Sequence, residues 1–299
     1  MAKKKRVRKE APVDAGGGCL YVVATPIGNL EDITLRALRV LKDADVVACE
    51  DTRRTLKLLT HFGISKRLVS YHEHNEITRA PEIVIELEQG ARVALVTDAG
   101  TPAISDPGHR LVSLCLRHGI RVVPVPGASA FVAALAVSGM PTEEFVFAGF
   151  LPSRPTERRK ALRVLNGEAR TLALYEAPHR LLDTLEDALE ILGNRPAVIA
   201  REVTKAYEEF SRGHLQDLVE AARKRPVRGE ITLLIGSPDG HLPHAAPGIA
   251  GNAIPLARHV EDIMKEHGLD RKAALKQAAR ERGLTRREAY KQLLITREP

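Results

Sequence analysis

Two apolar patterns alternate along this chain. Short runs rich in Val, Leu and Ile cover residues 20–24, 46–49, 68–71, 92–97 and 121–125, with the length and β-branched content of buried strands. Between them apolar positions recur at helical spacing: Ile33, Ala37, Leu38 and Leu41 after the first run, and Leu56, Leu58 and Leu59 after the second. A further helix reaches about Glu88 and another covers 109–118. Asn29 stands where it can cap the first of these helices. Repeated strand–helix alternation predicts a mostly parallel sheet with helices on both faces. Residues 130–138 are apolar all round, which predicts a buried helix placed between domains, and Gly139-Met140-Pro141 then breaks the chain.

The second half continues with strands at 145–149, 171–175, 197–201, near 207–211 and at 231–235, and helices at 157–165, 180–192 and 215–223. Its last strands follow one another with less helix between them, which predicts a mixed sheet. The expected organisation is a disordered basic tail over 1–18, an α/β domain over 19–139, a second α/β domain over 140–237, a linker over 238–253 and a basic helical extension over 254–299. Helices are expected there at 255–266, 271–281 and 286–294, with Asp270 and Thr285 as N-caps and Thr285 with Glu288 as a capping box. The Arg- and Lys-rich pair of helices fits a helix-turn-helix or a helical hairpin docked on the body.

Charge changes this picture. The net charge is +7, yet residues 19–253 carry 28 basic and 29 acidic side chains, so the whole surplus lies at the two ends. A near-neutral body with basic extensions suits an enzyme that must find a polyanion, with solubility as the rival explanation. Apolar runs fall short of the roughly 18 residues of a spanning helix, and the basic N-terminus lacks a following apolar region and cleavage site, so a cytoplasmic protein is expected. Cys19, Cys49 and Cys115 are odd in number and lie in or beside apolar segments, which predicts reduced core thiols.

The stretch 94–108 is the best candidate for ligand chemistry. A buried strand there delivers Asp98 into a loop containing Gly100, Pro102, Asp106, Pro107 and Gly108, beyond the carboxyl end of a strand where open α/β sheets bind ligands. Turn-capping by Asp98 and Asp106 is the alternative. The chain carries neither G-x-G-x-x-G nor G-x-x-x-x-G-K-[ST], which disfavours a dinucleotide or nucleoside triphosphate cofactor. It also has no Cys/His cluster at zinc spacing and no G-x-S-x-G elbow, so no metal is expected and hydrolase chemistry is unsupported.

Nine stretches occur in a telling order. They are Thr25-Pro26-Ile27-Gly28-Asn29-Leu30-Glu31-Asp32-Ile33-Thr34, Glu50-Asp51-Thr52-Arg53, His72-Glu73-His74-Asn75-Glu76, the Thr97 to Gly108 loop, and Pro126-Gly127-Ala128-Ser129-Ala130. Then come Gly149-Phe150-Leu151-Pro152, Tyr175-Glu176-Ala177-Pro178-His179-Arg180, Arg201-Glu202-Val203-Thr204-Lys205 and Gly229-Glu230-Ile231-Thr232. Over residues 19–237 this pattern resembles the ribosomal RNA small subunit methyltransferase I family of the tetrapyrrole methylase superfamily. The resemblance implies a two-domain, dimeric S-adenosylmethionine enzyme that methylates the ribose 2′-oxygen of a cytidine in the decoding centre of 16S rRNA. It places the cofactor contacts on Pro26, Ile27 and Gly28; on Asp98, Gly100, Thr101 and Ala103; on Ser129 and Ala130; and on Tyr175, Glu176, Ala177 and the surroundings of Ala206.

Transfer to a ribose hydroxyl needs oxygen, carbon and sulfur held in line, and a positioned base adds roughly 10²- to 10⁴-fold. The candidate bases are Asp51, Glu73 and Asp106, with Glu176 behind them. For each, a helix cap or an ion pair with Arg53, Arg54 or Arg180 is the competing role. Arg53, Arg54, Arg154 and Arg158 are the candidate RNA contacts, Arg159 and Lys160 fitting a solvated helix face equally well. Two other functions stay open: the same fold and cofactor acting on a small tetrapyrrole or other acceptor, and a non-enzymatic nucleic-acid-binding protein.

Overall fold

The computed structural model describes residues 17–225, 227–238, 240, 260, 264 and 270–281. The chain forms two compact units, Met1–Pro243 and His244–Pro299. In the first, β1 (Cys19–Val23), β2 (Val46–Cys49), β3 (Arg67–Ser70), β4 (Arg92–Leu95) and β5 (Arg121–Val125) make a five-stranded sheet in the order β3-β2-β4-β1-β5. Every pairing in it is parallel. The connections are α1 (Leu35–Asp43), α2 (Thr52–His61), α3 (Glu76–Glu88) and α4 (His109–Arg117).

Period-two alternation divides the core of this sheet. Val46, Ala48, Val93 and Leu95 pack with Ala80, Ile83, Val84 and Leu87 of α3 and with Leu111 and Cys115 of α4. Val47, Cys49, Ala94 and Val96 face the other way, onto Ala37 and Leu41 of α1 and Leu59 of α2. Both faces are covered, as a parallel sheet requires. All three cysteines are buried thiols, as expected.

Asn29 caps something shorter than the helix expected of it. Its Oδ1 accepts from Glu31 N and holds a 3-10 turn at Leu30–Asp32, whereas α1 begins after Thr34, whose Oγ1 accepts from Ala37 N. Two polar caps five residues apart compete for one helix start, and the one beside the buried Ala37 sets it.

The second half of the unit builds a mixed sheet in the order β6-β7-β10-β8-β9 from β6 (Phe145–Phe150), β7 (Thr171–Glu176), β8 (Pro196–Arg201), β9 (Glu209–His214) and β10 (Ile231–Ile235). Only β6 and β7 run parallel, with a register shift between Phe147 and Gly149. The pairs β7/β10, β10/β8 and β8/β9 are antiparallel. One face carries α6 (Pro155–Leu165), α7 (Leu181–Leu192) and α8 (Leu215–Lys224). The other face, with Ala173, Val198, Ala200 and Leu234, packs on Ala134 and Leu135 of α5 (Ala130–Ala136) and on Ile27 from the first half. Helix α5 therefore lies at the junction, as expected, but it is not buried all round: Val132, and Val137 just beyond its end, are each about half exposed.

In the second unit, α9 (Arg271–Glu281) is the described helix, with Asp270 Oδ1 accepting from Ala273 N as a cap. Most of the basic tail, the linker, the helices expected at 255–266 and 286–294 and the Thr285 capping box lie outside the described residues. Among the described residues no helix is long and apolar enough to cross a membrane.

Candidate functional site

A parallel sheet sends all its strand ends the same way, so four loops of the first half meet at one edge: Thr25–Gly28 after β1, Glu50–Asp51 after β2, Thr97–Gly108 after β4 and Gly127–Ser129 after β5. They are stitched together. Thr25 and Gly100 exchange backbone hydrogen bonds (2.9 and 3.1 Å), and Thr25 Oγ1 donates to Thr97 O at 3.0 Å. Asp98 accepts from the backbone N of Asp51 at 3.1 Å and pairs with Arg54 Nη1 at 3.2 Å, tying the second loop to the third.

Antiparallel pairing of β7 and β10 brings the end of one beside the start of the other, so Tyr175–Ala177 and Gly229–Thr232 form the facing wall, with Glu202–Lys205 beyond β8 beside them. Asn29 N donates to Thr204 Oγ1 at 3.2 Å across the junction. Between the walls is a cavity of about 420 Å³, within the range of small-ligand sites.

Backbone strain is concentrated on these two walls. Among the described residues, the non-glycine positions with positive φ are Ala103 (68°), Ser105 (61°), Glu202 (52°) and Thr204 (68°). Each costs of order 1–3 kcal/mol, which the surrounding hydrogen bonds must outweigh. Glu202 is held by donation from Glu230 N and Lys205 Nζ, and Thr204 N donates to Glu208.

Nine of the thirteen expected cofactor residues line the cavity: Ile27, Asp98, Gly100, Thr101, Ser129, Ala130, Tyr175, Glu176 and Ala177. Pro26 and Gly28 flank Ile27 outside the lining. Ala103 sits behind it, its N donating to Pro107 O at 3.3 Å, and Ala206 is exposed on the Lys205 loop away from the lining. Sequence reasoning missed Glu50, Ile104, Ser105, Phe150, Val203 and the Gly229–Thr232 segment as lining residues. All lie in or next to strand-end loops, which was the available signal.

The expected bases separate. Asp106 lines the cavity, and burial, with the nearby charges of Glu50 and Asp98 adding to it, pushes its carboxyl up to about 6 against the opposing effect of Thr97. Asp51 instead caps α2 and accepts from Arg53 N, Nε and Nη2 at 2.8–3.2 Å; these bonds hold it down to about 2, and it does not line the cavity. Glu73 is exposed and lines a neighbouring cavity rather than this one. Glu176 is buried and committed to Thr184 Oγ1 (2.5 Å), Ala177 N (2.7 Å) and the Arg180 guanidinium (3.3 Å).

The expected RNA contacts also divide. Arg53 and Arg154 are exposed. Arg54 lines the cavity beside Asp98. Arg158 is buried, its Nε donating to Asp187 Oδ2 at 2.7 Å, so it is a core ion pair and not a surface contact, contrary to expectation. Its neighbour Arg159 is drawn to Asp187 and Glu190.

The cavity suits a ligand with a flat apolar part and a cationic part. Ile27, Ala99, Ile104, Val203, Phe150 and Tyr175 supply apolar wall, while Glu50, Asp98 and Asp106 bring three carboxyl groups to it, Asp98 paired there with Arg54. Among the described residues no His/Cys/Asp/Glu group is arranged to hold a metal ion.

This fold of one parallel and one mixed sheet, with its ligand cleft built from strand ends, is that of the family described as Tetrapyrrole (Corrin/Porphyrin) Methylases, which matches residues 19–219. Cobalt precorrin-4 methyltransferase shares it, at 22% identity and TM-score 0.56 over 73% of this chain and 94% of that one. So does uroporphyrin-III C-methyltransferase of Thermus thermophilus complexed with S-adenyl homocysteine, at 22% identity and TM-score 0.52 over 73% of this chain and 97% of that one.

Closer relatives refine the class. Ribosomal RNA small subunit methyltransferase I of Halalkalibacterium halodurans is 50% identical over 91% of this chain and 93% of its own length. The protein of the same name from Escherichia coli O157:H7 is 42% identical over 93% of this chain and 100% of its own length. The chain belongs to the ribosomal RNA small subunit methyltransferase I family.

Proposed function

We propose that this protein is a methyltransferase that uses S-adenosylmethionine to methylate small-subunit ribosomal RNA, on the ribose 2′-oxygen of a cytidine in the decoding centre. The observation that supports the acceptor class most strongly is the 42–50% identity to rRNA methyltransferases over more than nine-tenths of the chain. The cytoplasmic homodimer implied by the resemblance belongs to the same proposal.

The cofactor supplies an electrophilic methyl group on a sulfonium centre. The apolar wall of Ile27, Ala99, Val203 and Tyr175 suits its adenine, and the Glu50 carboxylate offers negative potential to its positive sulfur. With that methyl group bound in the cavity, Asp106 would be the group that takes the proton the acceptor hydroxyl gives up as its oxygen is methylated. A carboxyl poised at about 6 is largely ionised at neutral pH and more basic than an ordinary aspartate. Asp51, with its charge committed to Arg53, acts through the loop, because its backbone N holds Asp98. Arg53, Arg54 and Arg154 are the proposed RNA contacts that the fold leaves outside the core.

The test is transfer of labelled methyl from S-adenosylmethionine to small ribosomal subunits from cells lacking this protein, run beside uroporphyrinogen as a small acceptor. Label in the RNA alone supports the proposal. Label in the tetrapyrrole alone overturns it.

A further inference from the structure

A second cavity, of about 640 Å³, adjoins the first and shares Glu50, Ser105 and Asp106 with it. In-line displacement requires the attacking oxygen to approach the methyl carbon from the side opposite sulfur, so the acceptor must enter from a space that meets the cofactor cavity at its reactive end. The second cavity meets the first at the carboxylate assigned as base.

Its other long wall is one face of α4. Arg110, Ser113 and Arg117 lie at i, i+3 and i+7 and line the cavity together, the two guanidinium-bearing positions about 10 Å apart along the axis. Arg110 Nε approaches Glu76 Oε1 at 3.4 Å, and Tyr71 also hydrogen-bonds Glu76, so that carboxylate is already answered. Arg117 is exposed and has no ion-pair partner among the described residues. Glu50 and Asp106 sit at the wall shared with the first cavity, Glu73 and the already paired Glu76 also line the second, and the donors of Arg110 and Arg117 run away from the shared wall along the helix. Ribose hydroxyls match the first end and backbone phosphates the second, because arginine forks bind phosphate and position a strand without reading its sequence.

We propose that this second cavity holds the acceptor nucleotide of the RNA, unstacked from its neighbours, with its ribose at Ser105 and Asp106 and its flanking phosphates along Arg110 and Arg117. The assignment rests on the rRNA function proposed above. It makes α4, a helix that sequence reasoning left without a role, the guide for the strand.

The experiment uses the full chain, with Arg117→Ala, Arg117→Lys and, as a remote control, Arg223→Ala on α8, in steady-state methylation of small ribosomal subunits across a salt series. For Arg117→Ala the expected result is an RNA KM raised about 5- to 10-fold with kcat within twofold, unchanged affinity for S-adenosylhomocysteine, and a log(kcat/KM) against log salt slope shallower by about 1. Arg117→Lys should restore the slope, and Arg223→Ala should leave all three quantities alone. An Arg117→Ala enzyme with wild-type KM and slope, or one whose principal defect is cofactor affinity, overturns the assignment. Failure of the wild-type enzyme to methylate RNA at all would instead strike the proposed function itself.

Discussion

Gly28 packs on the stem of Lys205 so closely that a Cβ at position 28 would lie 2.3 Å from Lys205 Cγ. The contact joins the first turn of the chain to the strained loop after β8, and Lys205 is pinned there by Glu202 (2.9 Å) and Glu230 (3.2 Å). Ile27, Val203 and Glu230, which neighbour these residues, all line the cofactor cavity. Gly28→Ala should therefore push the two walls apart and weaken S-adenosylhomocysteine binding about tenfold, or about 1.4 kcal/mol. In the double variant Gly28→Ala/Lys205→Ala the 2.3 Å clash is gone and the approach to Thr204 Oγ1 at 3.0 Å remains, so the two losses should fall short of additive. Calorimetric titration of the four proteins checks this, and additive losses would show that the contact does not set the cavity.

Asp106→Asn should lower kcat by about 10²- to 10⁴-fold while leaving cofactor affinity near wild type. In the wild type, kcat/KM should fall as pH drops through about 6, because protonation removes the base. Stability runs in the opposite direction. A carboxyl whose pKa is raised on folding binds its proton more tightly in the native state, so ionisation costs stability as pH rises through about 6. The Asn variant should then melt at least as high as wild type at pH 8. Asp51→Asn, by contrast, should leave the acid limb in place, since a group held down at about 2 contributes nothing to a transition near 6. A pH–rate profile of the three proteins separates these outcomes.

Arg158→Met should act on stability and not on RNA. It leaves Asp187 in the core with half of its pairing, a loss of about 3 kcal/mol that corresponds to a melting temperature lower by about 6–12 °C. Below that temperature the KM for small subunits should match wild type. A selective rise in KM would return Arg158 to the RNA-binding surface.

The sequence carried most of the architecture because strand ends in a parallel sheet are marked locally. β2 and β5 begin and end where their apolar runs do, and the loops after β1, β2, β4 and β5 converge because parallel strands leave no other arrangement. Long-range pairing was less legible. Nothing local to Arg158 announces Asp187, twenty-nine residues on, so Arg158 read as an RNA contact although it is buried in an ion pair. Likewise the composition of α5 could not show that Ala134 and Leu135 meet the second sheet while Val132, and Val137 just beyond its end, face outward. Asp51 and Asp106 looked equivalent in sequence. Burial divides them, one carboxyl half-buried in the cleft and the other neutralised by its own helix's Arg53.

The most direct measurement is where the methyl group goes. Small-subunit RNA labelled by this protein from tritiated S-adenosylmethionine would be hydrolysed in alkali, which cleaves beside every free 2′-hydroxyl. The account predicts that the label survives in one alkali-resistant dinucleotide whose methylated nucleoside is cytidine. Label released as a mononucleotide would place the methyl on a base and contradict the ribose chemistry assigned to Asp106.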